Sequence, residues 1–320
     1  MTIDGINIEI ITRDGAPLSL EGKTTVMALG TFDGVHSAHT GLLSETAALA
    51  SRMGADLCGA WCFSESPAAY LKNQSIPLLC TLNDRIDFML SCGLDFVAVG
   101  RIEELHRVSA EDFIDGVLKR RFGCIGTVCG VNHRFGYRGQ GSPRLLKDKF
   151  GDGALSYPEV KLADETVSST AIRKHLADGD MNRANLMLGR NFYINTKVLS
   201  GKRLGRRIGF PTVNQTFPDN TVVPRYGIYA TLCTAKDGRQ YIGVSNVGVR
   251  PTITDGSDSH AVNCETYLVG FDGDLYGQML KVEFCSYLRE EKKFGSIAEL
   301  SSAIENDKAC AVSYFGNKAL

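Results

Sequence analysis

The chain has 320 residues, 43% of them hydrophobic and 22% charged, enough for about two ordinary globular domains with sizeable cores. Its 35 basic and 36 acidic residues leave a formal net charge of -1. That balance supplies no global field for nucleic acid, so an anionic ligand has to be held by local groups.

The opening MTIDGINIEI lacks the basic flank and apolar core of a signal peptide. No apolar run approaches the ~18 residues of a transmembrane helix. A cytoplasmic protein without membrane contact is expected. From TTVMALG to IGTVCGV the elements alternate. TTVMALG, ADLCGAWCF, LDFVAVG and IGTVCGV read as strands. Residues 36–53, 81–92 and 109–123 read as helices, the last opened by Ser109 as N-cap with Asp112 in its first turn. This alternation predicts a parallel sheet with helices on both faces, and ligands beyond the carboxyl ends of its strands. VSSTAIRKHLADGDMNRANLMLG adds two short helices, ending at Gly189. From YINTKVLSG onward the signals turn strand-like. YGIYATLCTA, QYIGVSNVG and QMLKVEFCSYL are strands, and DGRQ and DGDLYG are read as hairpin turns. A small antiparallel barrel follows from this pattern, closed by an amphipathic helix in GSIAELSSAIENDKACAVSYF. The domains are placed at 1–187 and 188–320. The ten cysteines form no C-x-x-C pair and read as reduced core thiols.

Three segments carry chemistry. In ALGTFDGVHSAHTGLL a strand, a Gly-containing turn and a helix start converge. Free backbone N–H groups and the helix dipole there suit a phosphate. His36 and His39 share one helix face. A phosphate grip, a metal pair and a plain surface pair all fit that spacing. In GFPTVN, Thr212 and Asn214 offer oxygens two apart on one strand face, hard ligands of the kind Mg2+ takes beside nucleotide phosphates. Glu265 in NCETYL lies on a strand ahead of DGDLYG and by itself reads as a solvated strand residue. Gly201, Lys202, Arg203, Gly205 and Arg206 make a basic loop suited to covering phosphates. Trp61 reads as a packed strand residue, and Phe135 as either core or ligand-facing.

GTFDGVHSAH resembles the H-x-G-H signature of nucleotidyltransferases. More narrowly, it is similar to the G-N-F-D-G-V-H-x-G-H opening of bacterial bifunctional riboflavin kinase/FAD synthetases. GVNHRFG, VSSTAIR, GRRIGFPTVN, SNVGVRPT, DGDLYG and LREEKKF match further motifs of that family in order, over roughly residues 25–315. The resemblance implies an α/β nucleotidyltransferase-like domain with a parallel sheet, then a small antiparallel β-barrel with a C-terminal helix. It implies phosphorylation of riboflavin to FMN by the barrel, and joining of FMN to the AMP part of ATP by the first domain, with release of pyrophosphate. ATP is the co-substrate, FMN and FAD are the products, and Mg2+ serves both steps. Catalytic roles are implied for Glu265, His36, His39 and Arg173. Nucleotide binding is implied at Gly30, Phe32, Asp33, Gly34, Asn132, Ser168, Ser169, Thr170, Gly201, Lys202, Arg206, Gly209 and Pro211. Flavin binding is implied at Asn246, Arg250 and Arg289, and metal binding at Thr212 and Asn214. Riboflavin, FMN and ATP are the expected partners, with weak self-association and neither nucleic acid nor membrane. The sequence departs from the family at Thr31, Ala38, Ser66 (where histidine is usual), His133 (where phenylalanine is usual) and Tyr267. Most departures fall in the first domain, so a riboflavin kinase with a weak or inactive transferase is the main alternative. A non-catalytic flavin or nucleotide sensor is the next.

Overall fold

The computed structural model describes residues 5–200, 209–249 and 262–316. The basic loop containing Gly201, Lys202 and Arg206, and the flavin candidate Arg250, lie outside the described residues. Two compact units divide the chain, Met1–Ser169 and Thr170–Leu320.

In the first unit a six-stranded sheet has the order β1-β4-β3-β2-β5-β6. Its strands are β1 (Ile8–Thr12), β2 (Thr25–Leu29), β3 (Leu57–Phe63), β4 (Phe96–Gly100), β5 (Cys124–Gly130) and β6 (Ala154–Tyr157). β2 to β6 run parallel. β2 and β4 are buried at every residue, as expected of strands covered on both faces. One core holds Leu29, Trp61, Phe96 and Phe122; the opposite face holds Ala28, Phe32, Leu43 and Ile86. β1 pairs antiparallel with β4 and caps that sheet edge, an element outside the alternation expected from the sequence. The chain steps from β2 to β3 and β4 on one side, then returns to place β5 on the other side of β2. The crevice beyond the carboxyl ends of β2 and β5 is therefore the topological switch point, where ligands of such sheets bind.

The helices of this unit are α1 (Ser37–Met53), α2 (Pro67–Lys72), α3 (Leu82–Ser91), α4 (Ile102–Leu105), α5 (Ala110–Asp112) and α6 (Pro143–Phe150). Ser109 caps α5 as expected, its hydroxyl accepting Asp112 N–H at 3.0 Å. The helix then widens into π turns over Phe113–Arg121, a form frequent at functional sites that the periodicity does not reveal. A two-strand hairpin, β7 (Lys161–Leu162) and β8 (Glu165–Thr166), precedes α7 (Ser169–Asp178) and α8 (Met181–Leu188). Beyond Ser169 these two helices group with the second unit, earlier in the chain than the 187/188 division. Part of the reason is Asn185, which donates to Phe284 O at 2.9 Å and accepts Phe192 N–H at 2.8 Å.

The second unit curls a six-stranded antiparallel sheet of order β10-β13-β12-β11-β14-β9. Its strands are β9 (Phe192–Lys197), β10 (Thr212–Thr216), β11 (Gly227–Ala235), β12 (Gln240–Val249), β13 (Val262–Leu268) and β14 (Met279–Arg289). The edges β9 and β10 meet through buried Gln215, whose amide donates to Thr196 O at 2.9 Å and Leu280 O at 2.8 Å. The C-terminal helix Ile297–Gly316 lays Ala311 and Phe315 over Ile228, Ala230 and Val244. DGRQ is a hairpin turn between β11 and β12, with Gly238 at φ 84°. DGDLYG is not a hairpin. β13 pairs with β10 and β12, whereas β14 pairs with β11 and β9, so this segment is a crossing loop between non-neighbours. Asp-Gly is permissive for a tight turn but does not say which strands it joins. Seven cysteines are buried, among them Cys58, Cys124 and Cys264 with thiols pushed up to about 12 by burial, which suits inert core residues.

Two candidate active sites

The first site forms where β2 ends. The turn from Gly30 to His36 is held in a strained shape, with Phe32 at φ 50° and the β-branched Val35 at φ 37°. Both side chains are buried in the core and anchor that shape. Gly34 sits at φ 77°, and a Cβ there would meet the Leu79 side chain at 2.7 Å. Asp33 is buried and accepts Leu79 N–H at 2.8 Å, while its carbonyl accepts the Ser169 hydroxyl at 2.9 Å. Phe32 and Asp33 thus shape the turn from within.

His36 is the N-cap of α1, with Nδ1 accepting His39 N–H at 3.4 Å. The two imidazoles stack at 3.7 Å between centroids, 14° from parallel. His39 Nδ1 is buried with no partner among the described residues. Burial, then the adjacent His36, then Arg85 hold the His39 pKa well below its usual value. That keeps the His39 imidazole neutral in the free protein. Among the described residues no group of three or more His, Cys, Asp and Glu is placed to hold a metal ion.

Arg85 is the residue that sequence reasoning missed here. It is 1% exposed, and its guanidinium donates to Thr31 O at 2.9 Å, Phe63 O at 2.8 Å and Ser64 O at 3.1 Å. It ties the carboxyl ends of β2 and β3 together beside the histidines. Its signal was a charge on the apolar stripe of α3, in line with Leu82 and Met89. Ser66 caps α2 through Ala69 N–H at 3.2 Å. Asn132 follows β5 and donates to Glu159 at 2.7 Å. Thr170 and Arg173 lie on α7 in the second unit, Arg173 one turn beyond Ser169. Ser168 immediately precedes that helix.

Beside this turn lies a cavity of about 510 Å³ whose walls include Gly30, Thr31, Trp61, Phe113, His133 and Phe135. Phe135 thus lines the cavity as well as packing on the core. Phe135 stands 5.7 Å from Phe113 and 5.8 Å from His133 between centroids. Burial pushes the His133 pKa down to about 4, so the imidazole is neutral at neutral pH.

The second site lies on the sheet of the second unit. Glu265 stands opposite Asn214 on β10 and opposite Asn246 on β12, so three strands contribute one rung. Thr212 and Tyr267 form the next rung on the same face. Asn263, two residues before Glu265, donates its amide to Asn214 Oδ1 and Glu265 Oε1, each at 3.1 Å. Asn246 Oδ1 is buried without a partner among the described residues. Oxygen acceptors thus outnumber the donors among them, a set that fits a hard cation. A cavity of about 260 Å³ is walled by Thr212, Asn246, Glu265, Tyr267, Arg289 and Asp307, among others. Arg289 grips Asp307 with two bonds, Nε to Oδ1 at 2.8 Å and the terminal nitrogen to Oδ2 at 2.7 Å. That pair ties β14 to the C-terminal helix on the cavity wall. A neighbouring cavity of about 540 Å³ is walled by Val198, Pro211, Thr212 and the loop Asp272–Tyr276. Thr212 belongs to both cavities. Gly209, at φ 83°, leads into Pro211. Asn263 and Asp307 were also missed. Asn263 shares the strand face of Glu265, and Asp307 lies on the buried stripe of its helix with Ala311 and Phe315.

No helix among the described residues is long and apolar enough to cross a membrane. A Streptococcus pneumoniae crystal structure described as a macrolide-efflux protein matches with a TM-score of 0.82 at 24% identity, covering 91% of this chain and 94% of that one. That likeness bears on the fold alone. The FAD synthetase family model matches residues 19–171, and the riboflavin kinase family model matches residues 188–315. The Bacillus subtilis bifunctional riboflavin kinase/FMN adenylyltransferase is 32% identical over 96% of this chain and 98% of its own length. Its Haemophilus influenzae counterpart is also 32% identical, over 91% of this chain and 94% of its own. With one half of the chain matching each enzyme and such relatives spanning nearly all of it, the chain belongs to the bifunctional riboflavin kinase/FMN adenylyltransferase family.

Proposed function

We infer that this chain carries out both reactions itself: it phosphorylates riboflavin with ATP, then transfers AMP from a second ATP to FMN. The observation that carries the kinase reading is Thr212 standing in the wall of two cavities, with Glu265 lining one of them. Riboflavin in the Glu265 cavity and ATP in the other bring the ribityl hydroxyl and the terminal phosphate together beside Thr212. Glu265 takes the hydroxyl proton as the oxygen attacks, and ADP leaves. Thr212 and Asn214 would hold Mg2+ there, and the bound ion would offset the phosphate charge. Asn246 and Arg289 belong to the flavin side, with Arg289 set by Asp307.

For the adenylyl transfer, Gly30 and Thr31 both wall the aromatic cavity and begin the phosphate turn. FMN fits with its ring in the cavity and its phosphate facing the turn. That phosphate attacks the ATP α-phosphorus, the α–β bridge breaks, and pyrophosphate leaves. His36 and His39 steady the charge that develops on the leaving group. Ser168 and Ser169 are assigned to the same nucleotide, and the nucleotide roles of Thr170 and Arg173 rest on the VSSTAIR motif alone. The activity division follows residues 1–187 and 188–320, and the protein acts in the cytoplasm. Purified protein given riboflavin, ATP and Mg2+ is expected to yield FMN and then FAD on chromatography. Accumulation of FMN with no FAD would leave a kinase alone, and untouched riboflavin would overturn the kinase assignment as well.

A further inference from the structure

Trp61 is the only tryptophan of the chain. It sits on β3 between Leu29 and Ala98 and is 2% exposed. Edge-on contacts with Phe63, Phe113 and Phe122, at 5.9, 5.2 and 6.3 Å, fix its ring. Its backbone carbonyl accepts Gly30 N–H at 3.3 Å, joining it to the start of the phosphate turn. Yet its indole Nε1 is buried with no hydrogen-bond partner among the described residues. Buried indole N–H groups usually find an acceptor, and one left without it is costly. Trp61 also walls the 510 Å³ cavity, whose other walls are mostly aromatic or aliphatic.

We propose that Trp61 is a specificity-determining residue of the adenylyltransferase site, its indole N–H donating to a carbonyl oxygen on the pyrimidinedione edge of the flavin ring. The inference rests on the reading that FMN occupies this cavity. The flavin ring is apolar over its dimethylbenzene end and carries two carbonyls flanking an N–H at the other. The cavity sets aromatic and aliphatic walls beside polar ones, Thr31, Arg134 and Arg138 among them, and Trp61 adds a buried donor without a partner among the described residues, which matches that division. The donor is idle in the free protein and satisfied in the complex, so it favours ligands with the matching acceptor over aromatic compounds without one.

The single tryptophan makes the test specific. Growth of a tryptophan-requiring host on β-(3-benzothienyl)alanine exchanges the indole N–H for sulfur at residue 61 alone and keeps the ring shape. FAD synthesis from FMN and Mg-ATP is then compared in the two proteins, together with 2-thio- and 4-thio-FMN, whose sulfur accepts hydrogen bonds weakly. The expected result is a KM for FMN about tenfold higher in the substituted protein, with kcat little changed, as for loss of one buried hydrogen bond. One thio analogue should penalise the native protein and leave the substituted protein indifferent, the coupling that a merely packed ring would not show. Trp61→Phe should repeat the loss of discrimination. Contact quenching of Trp61 emission by FMN tests the underlying reading separately. Quenching with an unchanged KM and unchanged analogue preference would overturn the proposal and leave FMN in the cavity. No quenching at all would remove FMN from the cavity, and the proposal with it.

Discussion

Replacing Glu265 with glutamine tests the kinase chemistry at one atom. Glu265 lies on a rung with Asn214 and Asn246, and its Oε1 accepts the Asn263 amide at 3.1 Å. Glutamine keeps that acceptor at Oε1 and exchanges the other oxygen for an amide nitrogen. The strand pairing is unaffected, so the change in folding stability should stay within about 1 kcal/mol. What is lost is the capacity to take a proton at neutral pH. A positioned base contributes about 100- to 10,000-fold, which is about 3–5 kcal/mol of barrier at 1.36 kcal/mol per factor of ten. Riboflavin phosphorylation should fall by that range, while FAD formation from supplied FMN continues at the native rate. Asn263→Ala is the companion variant. It leaves the base in place but removes the amide shared by Glu265 and Asn214, so a smaller loss, about tenfold, is expected. Chromatography of FMN and FAD from the two separate assays reads both activities. Native phosphorylation in the glutamine variant would remove Glu265 from the mechanism. An equal fall in both activities would point to damage of the whole protein rather than loss of a base.

The remaining expectations concern both sites. Thr212→Ala and Asn214→Ala should raise the Mg-ATP requirement of riboflavin phosphorylation and spare FMN adenylylation, measured by titrating Mg2+ in each assay; a matching shift in both would contradict separate sites. His36→Ala and His39→Ala should each lower adenylyl transfer by about 100-fold or more with riboflavin phosphorylation retained, and FAD synthesis indifferent to both changes would leave the pair a packing role only. His133, held neutral with a pKa near 4 against an ordinary 6.5, makes the native state bind fewer protons than the unfolded chain between those values. Stability is therefore full above about pH 6.5 and is lost as pH falls toward 4, by at most about 3 kcal/mol from this residue. Thermal midpoints followed from pH 7 to 4 should fall less steeply for His133→Phe than for the native protein, and parallel curves would refute the assignment.

What the sequence disclosed, and what it kept back, divides along physical lines. The parallel sheet was legible because fully buried strands write continuous apolar runs such as TVMAL and FVAVG between helices. The strand–turn–helix junction from Gly30 to Ser37 was legible because strand end, glycine and helix start follow one another in the chain. Local order of that kind survives in one dimension. Strand partnership does not. The segment DGDLYG has the chemistry of a hairpin and serves a crossing, since pairing is decided by long-range packing that the turn residues do not encode. β1 was missed because its burial alternates only loosely at a sheet edge.

The two charged residues that no motif marks share a signature in the sequence. Arg85 and Asp307 are charges set on the buried stripe of an amphipathic helix, in line with Met89 and with Ala311 respectively. A helix pattern alone treats such a residue as an irregularity. Burying a charge is costly unless it is paired, so each position predicts a partner that the helix itself does not supply. For Arg85 the partners are the carbonyls of Thr31, Phe63 and Ser64 at two strand ends, and for Asp307 the partner is Arg289. Both partners lie at a cavity, because strand ends leave carbonyls unpaired and ligand pockets need walls held in place. A charged residue interrupting an apolar stripe therefore marks, in this chain, the element that fixes the wall of each candidate site. Trp61 extends the same reasoning to an uncharged group, a buried donor whose partner is missing until the ligand brings it.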